Sequence, residues 1–196
     1  MTSHVLYVGW LADYGYEVVT FDYRGYGKSE GKPSRKGLVA DGVAMLNFVA
    51  ANKRPGCDRI YVLGQSLGGA VAVPAIVQSN TKVSAVILES TFASYRQIAR
   101  AKLGAFFVSW AFQWPLSYLV SDDLSPLEDI AKIHAPLLVI HGDRDPVVPL
   151  EHGQRLYEAA SNPKELWEIT NGEHTPAFLP ETSPSRKRLV EYLRRN

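Results

Sequence analysis

The sequence predicts an α/β fold, a mostly parallel sheet with flanking helices, on three observations. Apolar runs of strand length alternate with helical patterns through most of the chain, as in βα units that build a parallel sheet. Glycine and proline mark most of the joints between them. At 196 residues the chain fits one domain (1–196) and can bury a sizeable core. Neither an internal repeat nor a low-complexity linker interrupts it.

Val5 to Tyr14 has the pattern of a short helix, ended by Gly15, and Tyr16 to Tyr23 (YEVVTFDY) that of a first strand. Arg24 to Pro33, with Gly25, Gly27 and Gly31, is a turn-rich loop. Lys36 to Asn52 is expected as a helix with Leu38, Val39, Val43, Met45, Leu46, Phe48 and Val49 supplying its buried face, and Pro55-Gly56 breaks the pattern. Arg59 to Gly64 (RIYVLG) is a second strand. Leu67 to Gln78 follows as a helix whose Gly68, Gly69, Ala70 and Ala72 permit close packing, and whose Pro74 is expected to kink it or remove a hydrogen bond.

Ala85 to Glu89 (AVILE), Pro136 to His141 (PLLVIH) and Glu165 to Ile169 (ELWEI) read as strands three to five. Helices at about 150–160 and 183–195 follow the last two, the final one opened by Ser183 as N-cap with Pro184 at its first position. Phe92 to Leu124 is too long for a simple crossover. It carries Phe92, Phe106, Phe107, Trp110, Phe112, Trp114 and Tyr118, so a helical insertion or cap over about 92–124 is expected.

Composition excludes several function classes. With 46% hydrophobic residues, 21% charged residues and a net charge of +1, nothing predicts disorder, and no charge excess invites a nucleic-acid partner. Arg186, Lys187, Arg188, Arg194 and Arg195 interleave with Leu189, Val190, Tyr192 and Leu193 and read as the solvated face of the last helix. Cys57 is the only cysteine, so neither an intrachain disulfide nor a cysteine metal cluster is possible. The His and carboxylate residues lack zinc-site spacing, and GQSLGG lacks the lysine of a phosphate-binding Walker loop. No secretory signal pattern and no apolar membrane span is found, because Phe106 to Val120 is interrupted by Ser109, Gln113, Pro115 and Ser117. The compartment is not predicted: a cytoplasmic location is the expectation if Met1 is the true start, and a signal or anchor preceding a truncated N-terminus is the alternative.

Gly64-Gln65-Ser66-Leu67-Gly68 lies where a strand must turn sharply into a helix. In such a turn the serine hydroxyl stands clear of the backbone, flanking Gly64 and Gly68 avoid clashes, and the Leu67 amide points the same way from a helix N-terminus. The competing reading is that Ser66 caps the helix. A nucleophilic serine needs a base and an orienting carboxylate. In a strand–turn–helix setting of this kind the chain order should be Ser, then Asp or Glu, then His.

Asp145, in HGDRDPVVP, follows the strand PLLVIH, and His174, in NGEH, follows ELWEI. Both fall on the same sheet edge as Ser66, where open parallel sheets place their ligands. Asp143 competes with Asp145 for the acid role. His4, His134, His141 and His152 are less well placed than His174, with His141 reading as a packing or turn residue. Asp22 and Arg24 are expected to pair with each other or to fix their loop.

These motifs together, DYRGYGKSEG, G-x-S-x-GG, HGDRDPVVP and NGEH, resemble the α/β-hydrolase superfamily, specifically its small serine esterase-like branch. The resemblance covers essentially the whole chain. It implies Ser66 as nucleophile, Asp145 as acid, His174 as base, the Leu67 amide as an oxyanion donor, and a cap over the acyl pocket. Phe92, Phe107, Trp110 and Trp114 are the substrate-binding candidates of that cap.

The resemblance also implies three earlier strands and an HG-type loop carrying a second oxyanion donor, none of which this sequence contains. A truncated form of the fold is therefore expected, with either a gap between YEVVTFDY and RIYVLG or a new pairing of the two. Two functions follow as expectations. One is hydrolysis of a small-molecule carboxylic ester through an acyl-enzyme, with no cofactor, and with thioesterase or peptidase activity as variants. The other is a catalytically weak remnant that binds ligands or partners. Oligomeric state and natural substrate are not predicted.

Overall fold

The computed structural model describes residues 7–105, 110–179 and 181–196. A short 3-10 helix, Gly9–Tyr14, ends at Gly15, whose φ of 84° is the left-handed conformation that glycine adopts at little cost. The chain then continues through helix α1 (Arg35–Ala51), strand β1 (Tyr61–Gln65), helix α2 (Leu67–Gln78) and strand β2 (Ala85–Glu89). Helices α3 (Tyr95–Gly104), α4 (Gln113–Ser117) and α5 (Pro126–Asp129) lead to strand β3 (Leu137–Gly142). Helix α6 (Leu150–Ala159), strand β4 (Lys164–Ile169) and helix α7 (Pro184–Arg195) complete the order.

The four strands form one parallel sheet in the order β1-β2-β3-β4, with Leu63 opposite Ile87, Ile87 opposite Leu138, and Leu138 opposite Glu165. This is an α/β fold with helices on both faces. Alternation along β2 shows why. Val86 and Leu88 face a core built with Leu38 and Val39 of α1, Val71 and Val73 of α2 and Leu156 of α6. Ala85 and Ile87 face the opposite way, against Leu189, Val190 and Leu193 of α7 and Phe178. The local signals for helix ends also hold. The Ser183 hydroxyl accepts a hydrogen bond from the Ser185 amide, with Pro184 at the first helical position. Pro74 is buried within α2, which continues to Gln78.

One expected element is not formed. Tyr16 to Tyr23 joins no ladder, so the sheet has four strands among the described residues instead of five. A strand exists only with a hydrogen-bonding neighbour about 4.8 Å away; here the Tyr16 ring packs edge-on against Tyr61 of β1, and a cavity of about 1330 Å³ is lined by this segment and β1 together. Its side chains nevertheless reach both cores, with Tyr16 and Val18 on one and Tyr23 on the other. Of the two expected outcomes, the gap is the one observed. Among the described residues no helix is long and apolar enough to cross a membrane.

Candidate active site

Each parallel strand ends at the same sheet edge, and each contributes one part of the site. At the end of β1 the chain reverses at Ser66, whose φ of 52° and ψ of −119° are unusual for a residue with a side chain. The surroundings over-determine this turn. The Ser66 amide donates to the Glu89 carbonyl at 2.8 Å, and the Ser66 carbonyl accepts from the amides of Gly69 and Ala70. The hydroxyl makes no capping hydrogen bond to α2, so the helix-cap reading of Ser66 finds no support. Leu67 opens α2, where the first amides have no intrahelical acceptor.

The glycines of this elbow do not share one duty. A Cβ at Gly64 would lie 2.5 Å from Gly69 Cα and 2.6 Å from Gly69 N, backbone atoms that cannot swing aside. A Cβ at Gly68 would meet nothing within 4 Å, whereas one at Gly69 would strike the Thr91 side chain. The close approach therefore needs Gly64 and Gly69, not the Gly64 and Gly68 pair that the motif singles out.

Beyond β3 and β4, two loops are laced together. Arg144 donates its amide to Gly172 O at 2.9 Å, and a Cβ at Gly142 would collide with the same carbonyl. This packing brings Asp145 Oδ2 to 2.8 Å from His174 Nδ1. Asp145 is buried and its Oδ1 accepts from the amides of Val147 and Val148, each at 2.8 Å, while Asp143 is exposed. Burial alone would push the Asp145 carboxyl up, but the hydrogen bonds from His174 and from the two amides outweigh it and hold it below its ordinary value. His174 is 24% exposed and lines the cavity that Ser66 also lines.

Two other histidines are buried and hydrogen-bonded, and His141 Nε2 also lies 3.6 Å from Asp145 Oδ2. His141 is fully buried, with Nε2 at 2.8 Å from Val148 O, and burial pushes its pKa down. His152 Nδ1 accepts from the Ala93 amide, and burial lowers its pKa to about 4. His134 is exposed, and His4 lies outside the described residues. Arg24 pairs with Asp41, not with Asp22, through Nη2 at 2.6 Å and Nε at 3.0 Å. Asp22 instead accepts from the Lys28 amide within its own loop.

Of the four cap residues named from the sequence, Phe92 packs with Ala70, Val148 and Leu67. Trp110 and Trp114 are 63% and 57% exposed, and Arg100 stacks on the Trp114 ring at 3.7 Å. None of the three lines the cavity holding Ser66 and His174. Phe107 lies outside the described residues.

Sequence reasoning missed Glu89 and Ser90. The Glu89 carboxylate receives the Gln65 side chain and the Ala177 amide, and the Ser90 hydroxyl receives the Thr175 amide. A carboxylate ending an all-apolar strand between two other strands was the available signal, since such a position is buried.

A parallel sheet with its elbow, acid loop and histidine loop on one edge defines an α/β hydrolase. A family model described as serine aminopeptidase, S33, matches residues 4–125, more than half of the chain, and the chain belongs to this α/β-hydrolase family. It is 39% identical over 180 residues to the uncharacterized protein YfhR of Escherichia coli O157:H7, covering 91% of this chain and 60% of that one. It is 35% identical to the lysophosphatidylserine lipase ABHD12 of Danio rerio, covering 88% of this chain and 46% of that one. The chain thus spans about 60% or less of the length of these curated relatives. Among solved structures it resembles the Pyrococcus furiosus esterase Pf2001, with a TM-score of 0.77, 28% identity, and coverage of 97% of this chain and 74% of that one.

Proposed function

We propose that the chain is a serine hydrolase acting on carboxylic esters, with Ser66 as nucleophile, His174 as general base and acid, and Asp145 as the residue that orients His174. The observation that carries this reading is the 2.8 Å hydrogen bond between Asp145 and His174, in a cavity shared with Ser66. With Nδ1 donating to Asp145, the other ring nitrogen is left to accept a proton.

Ser66 Oγ attacks the ester carbonyl carbon as His174 Nε2 takes the hydroxyl proton. The resulting oxyanion accepts from the Leu67 amide at the helix N-terminus. Collapse of the tetrahedral intermediate breaks the bond to the leaving oxygen, which receives the proton from His174, and the acyl group stays on Ser66. Water, deprotonated by His174, attacks the acyl-enzyme, releases the carboxylic acid and restores the serine hydroxyl.

Two relatives bear the names esterase and lysophosphatidylserine lipase, which favours an ester over the peptide bond that the family description mentions. In this reading the segment at about 92–124 is the candidate cap, although none of its described residues lines the cavity that holds Ser66 and His174. A second reading, ligand or partner binding without efficient turnover, draws on the open cavity of about 1330 Å³ that runs from the Tyr16–Tyr23 segment to Ser66. Hydrolysis of short-chain p-nitrophenyl esters by the purified chain, beside Ser66→Ala and His174→Ala, separates the two. Turnover above both variants supports the enzyme, and rates equal to those of Ser66→Ala contradict it.

A further inference from the structure

We infer that Glu89 is a positioning residue whose buried carboxylate locks the loop bearing His174 onto the elbow bearing Ser66. This rests on the triad reading above and assigns a task to a group that the proposed chemistry does not otherwise use. Glu89 ends β2, the strand that lies between the strand of the nucleophile and the strand preceding the acid loop. Its side chain is 0% exposed. Oε2 accepts from Gln65 Nε2 at 2.5 Å, and Gln65 is the residue before Ser66. Oε1 accepts from the amide of Ala177 at 2.8 Å, three residues past His174.

The backbone at the same point repeats the linkage. The Glu89 carbonyl accepts from the Ser66 amide at 2.8 Å, and the hydroxyl of Ser90 accepts from the Thr175 amide at 3.0 Å. Ser66, Ser90 and Thr175 all have positive φ, 52°, 48° and 52°, so three strained residues meet where these bonds converge. Glu89 and Ser90 thus hold the elbow with one set of groups and the histidine loop with another.

An ordinary fully buried position on a strand paired on both sides would carry an apolar side chain, because a buried carboxylate loses its hydration. Burial does push the Glu89 carboxyl above its ordinary value, while the Gln65 and Ala177 hydrogen bonds and the nearby His174 pull it back. Two acceptor oxygens pointing in different directions are what the site needs, since the Ala177 amide is fixed on one side and the Gln65 amide on the other. Glutamine can meet the same demand once the Gln65 side-chain amide rotates. Leucine, of similar size, can meet neither.

The test uses the full chain, isotopically labelled on histidine, as wild type, Glu89→Gln and Glu89→Leu, with two readouts. One is the downfield proton signal of His174 Nδ1–H in its bond to Asp145. The other is the rate of Ser66 modification by a fluorophosphonate. Displacing the histidine loop by a fraction of an ångström is expected to slow modification about 10- to 100-fold in Glu89→Leu and to broaden or remove the ring signal. Glu89→Gln is expected to recover most of both. If Glu89→Leu keeps the wild-type signal and rate, the inference is overturned.

Should Glu89→Leu not fold, Glu89→Asp takes its place. It is one methylene shorter and must release one partner, so a weakened ring signal supports the inference and an unchanged one contradicts it. A wild-type chain that takes up no fluorophosphonate refutes the hydrolase reading alone, because the ring signal still decides the role of Glu89.

Discussion

Asp145 Oδ2 lies 2.8 Å from His174 Nδ1, and the same carboxylate is braced from behind by the amides of Val147 and Val148. The acid is therefore fixed before the histidine meets it. Asp145→Asn removes the acceptor that selects the imidazole tautomer, so the rate of Ser66 modification is expected to fall about 10³- to 10⁴-fold. Asp143→Asn, on the exposed neighbour, is expected to change it by less than about twofold, as is usual for surface positions. Stopped or slow labelling kinetics on the two variants check this, and equal losses would remove Asp145 from its assigned role.

Gly64 and Gly68 flank Ser66 symmetrically in sequence and asymmetrically in space. Gly64→Ala drives a methyl into the backbone of Gly69, which is expected to lower stability by about 2–3 kcal/mol. For a chain of this size that is roughly 5–10 °C in melting temperature. Gly68→Ala meets open space and is expected to cost nothing measurable, because alanine favours the helix that it enters. Thermal melts of the two variants give the comparison directly.

His152 accepts a hydrogen bond from the Ala93 amide and so must be neutral in the folded chain. Its folded pKa, about 4, lies below its ordinary 6.5. The stability contributed by the neutral ring is thus fully present above about pH 6.5 and is lost progressively as pH falls toward 4. Denaturant unfolding at pH 7, 6 and 5 is expected to show this decline. Glutamine at this position can still accept from Ala93, so His152→Gln should flatten the slope by up to about 1 kcal/mol per pH unit. The slope that remains includes His141, whose pKa burial also lowers, and toward pH 5 the carboxyls of Asp41, Asp122 and Asp145, held below their ordinary value, with Glu89 opposing them.

Residues 17–21 have the alternation of a strand without its ladder. Their amides are expected to exchange with solvent on the order of 10²-fold or more faster than those of Val86 to Leu88, which are buried and paired on both sides. Amide hydrogen exchange read by mass spectrometry tests this. Equal protection would mean that the segment pairs with β1 in solution.

That segment also shows where local sequence information ends. AVILE was legible as β2 because an apolar run of strand length between turns needs only burial, and the sheet supplies it on both faces. YEVVTFDY carries an equally good pattern, but strand formation depends on a neighbour that no local pattern reports. The loops bearing Asp145 and His174 lie on the sheet edge where their strands end, yet the contacts that distinguish buried Asp145 from exposed Asp143, with the amides of Val147 and Val148 and with His174, are tertiary and were not legible. Arg24 was legible as an anchor of its loop. Its partner Asp41 is 17 residues away on α1 and was not. Glu89 escaped for a related reason, since it matters through contacts with the elbow and the histidine loop and not through a motif of its own, and Gly69 was legible as a small packing residue but not as the partner of Gly64.

The proposed role of Ser66 is that of an activated nucleophile. Its most direct test is incubation of the purified chain with a fluorophosphonate, followed by intact-mass measurement and peptide mapping, beside Ser66→Ala and His174→Ala. A single adduct on Ser66 is expected, absent from Ser66→Ala and formed far more slowly in His174→Ala. No adduct on the wild-type chain, or one that persists when Ser66 is replaced, would contradict it.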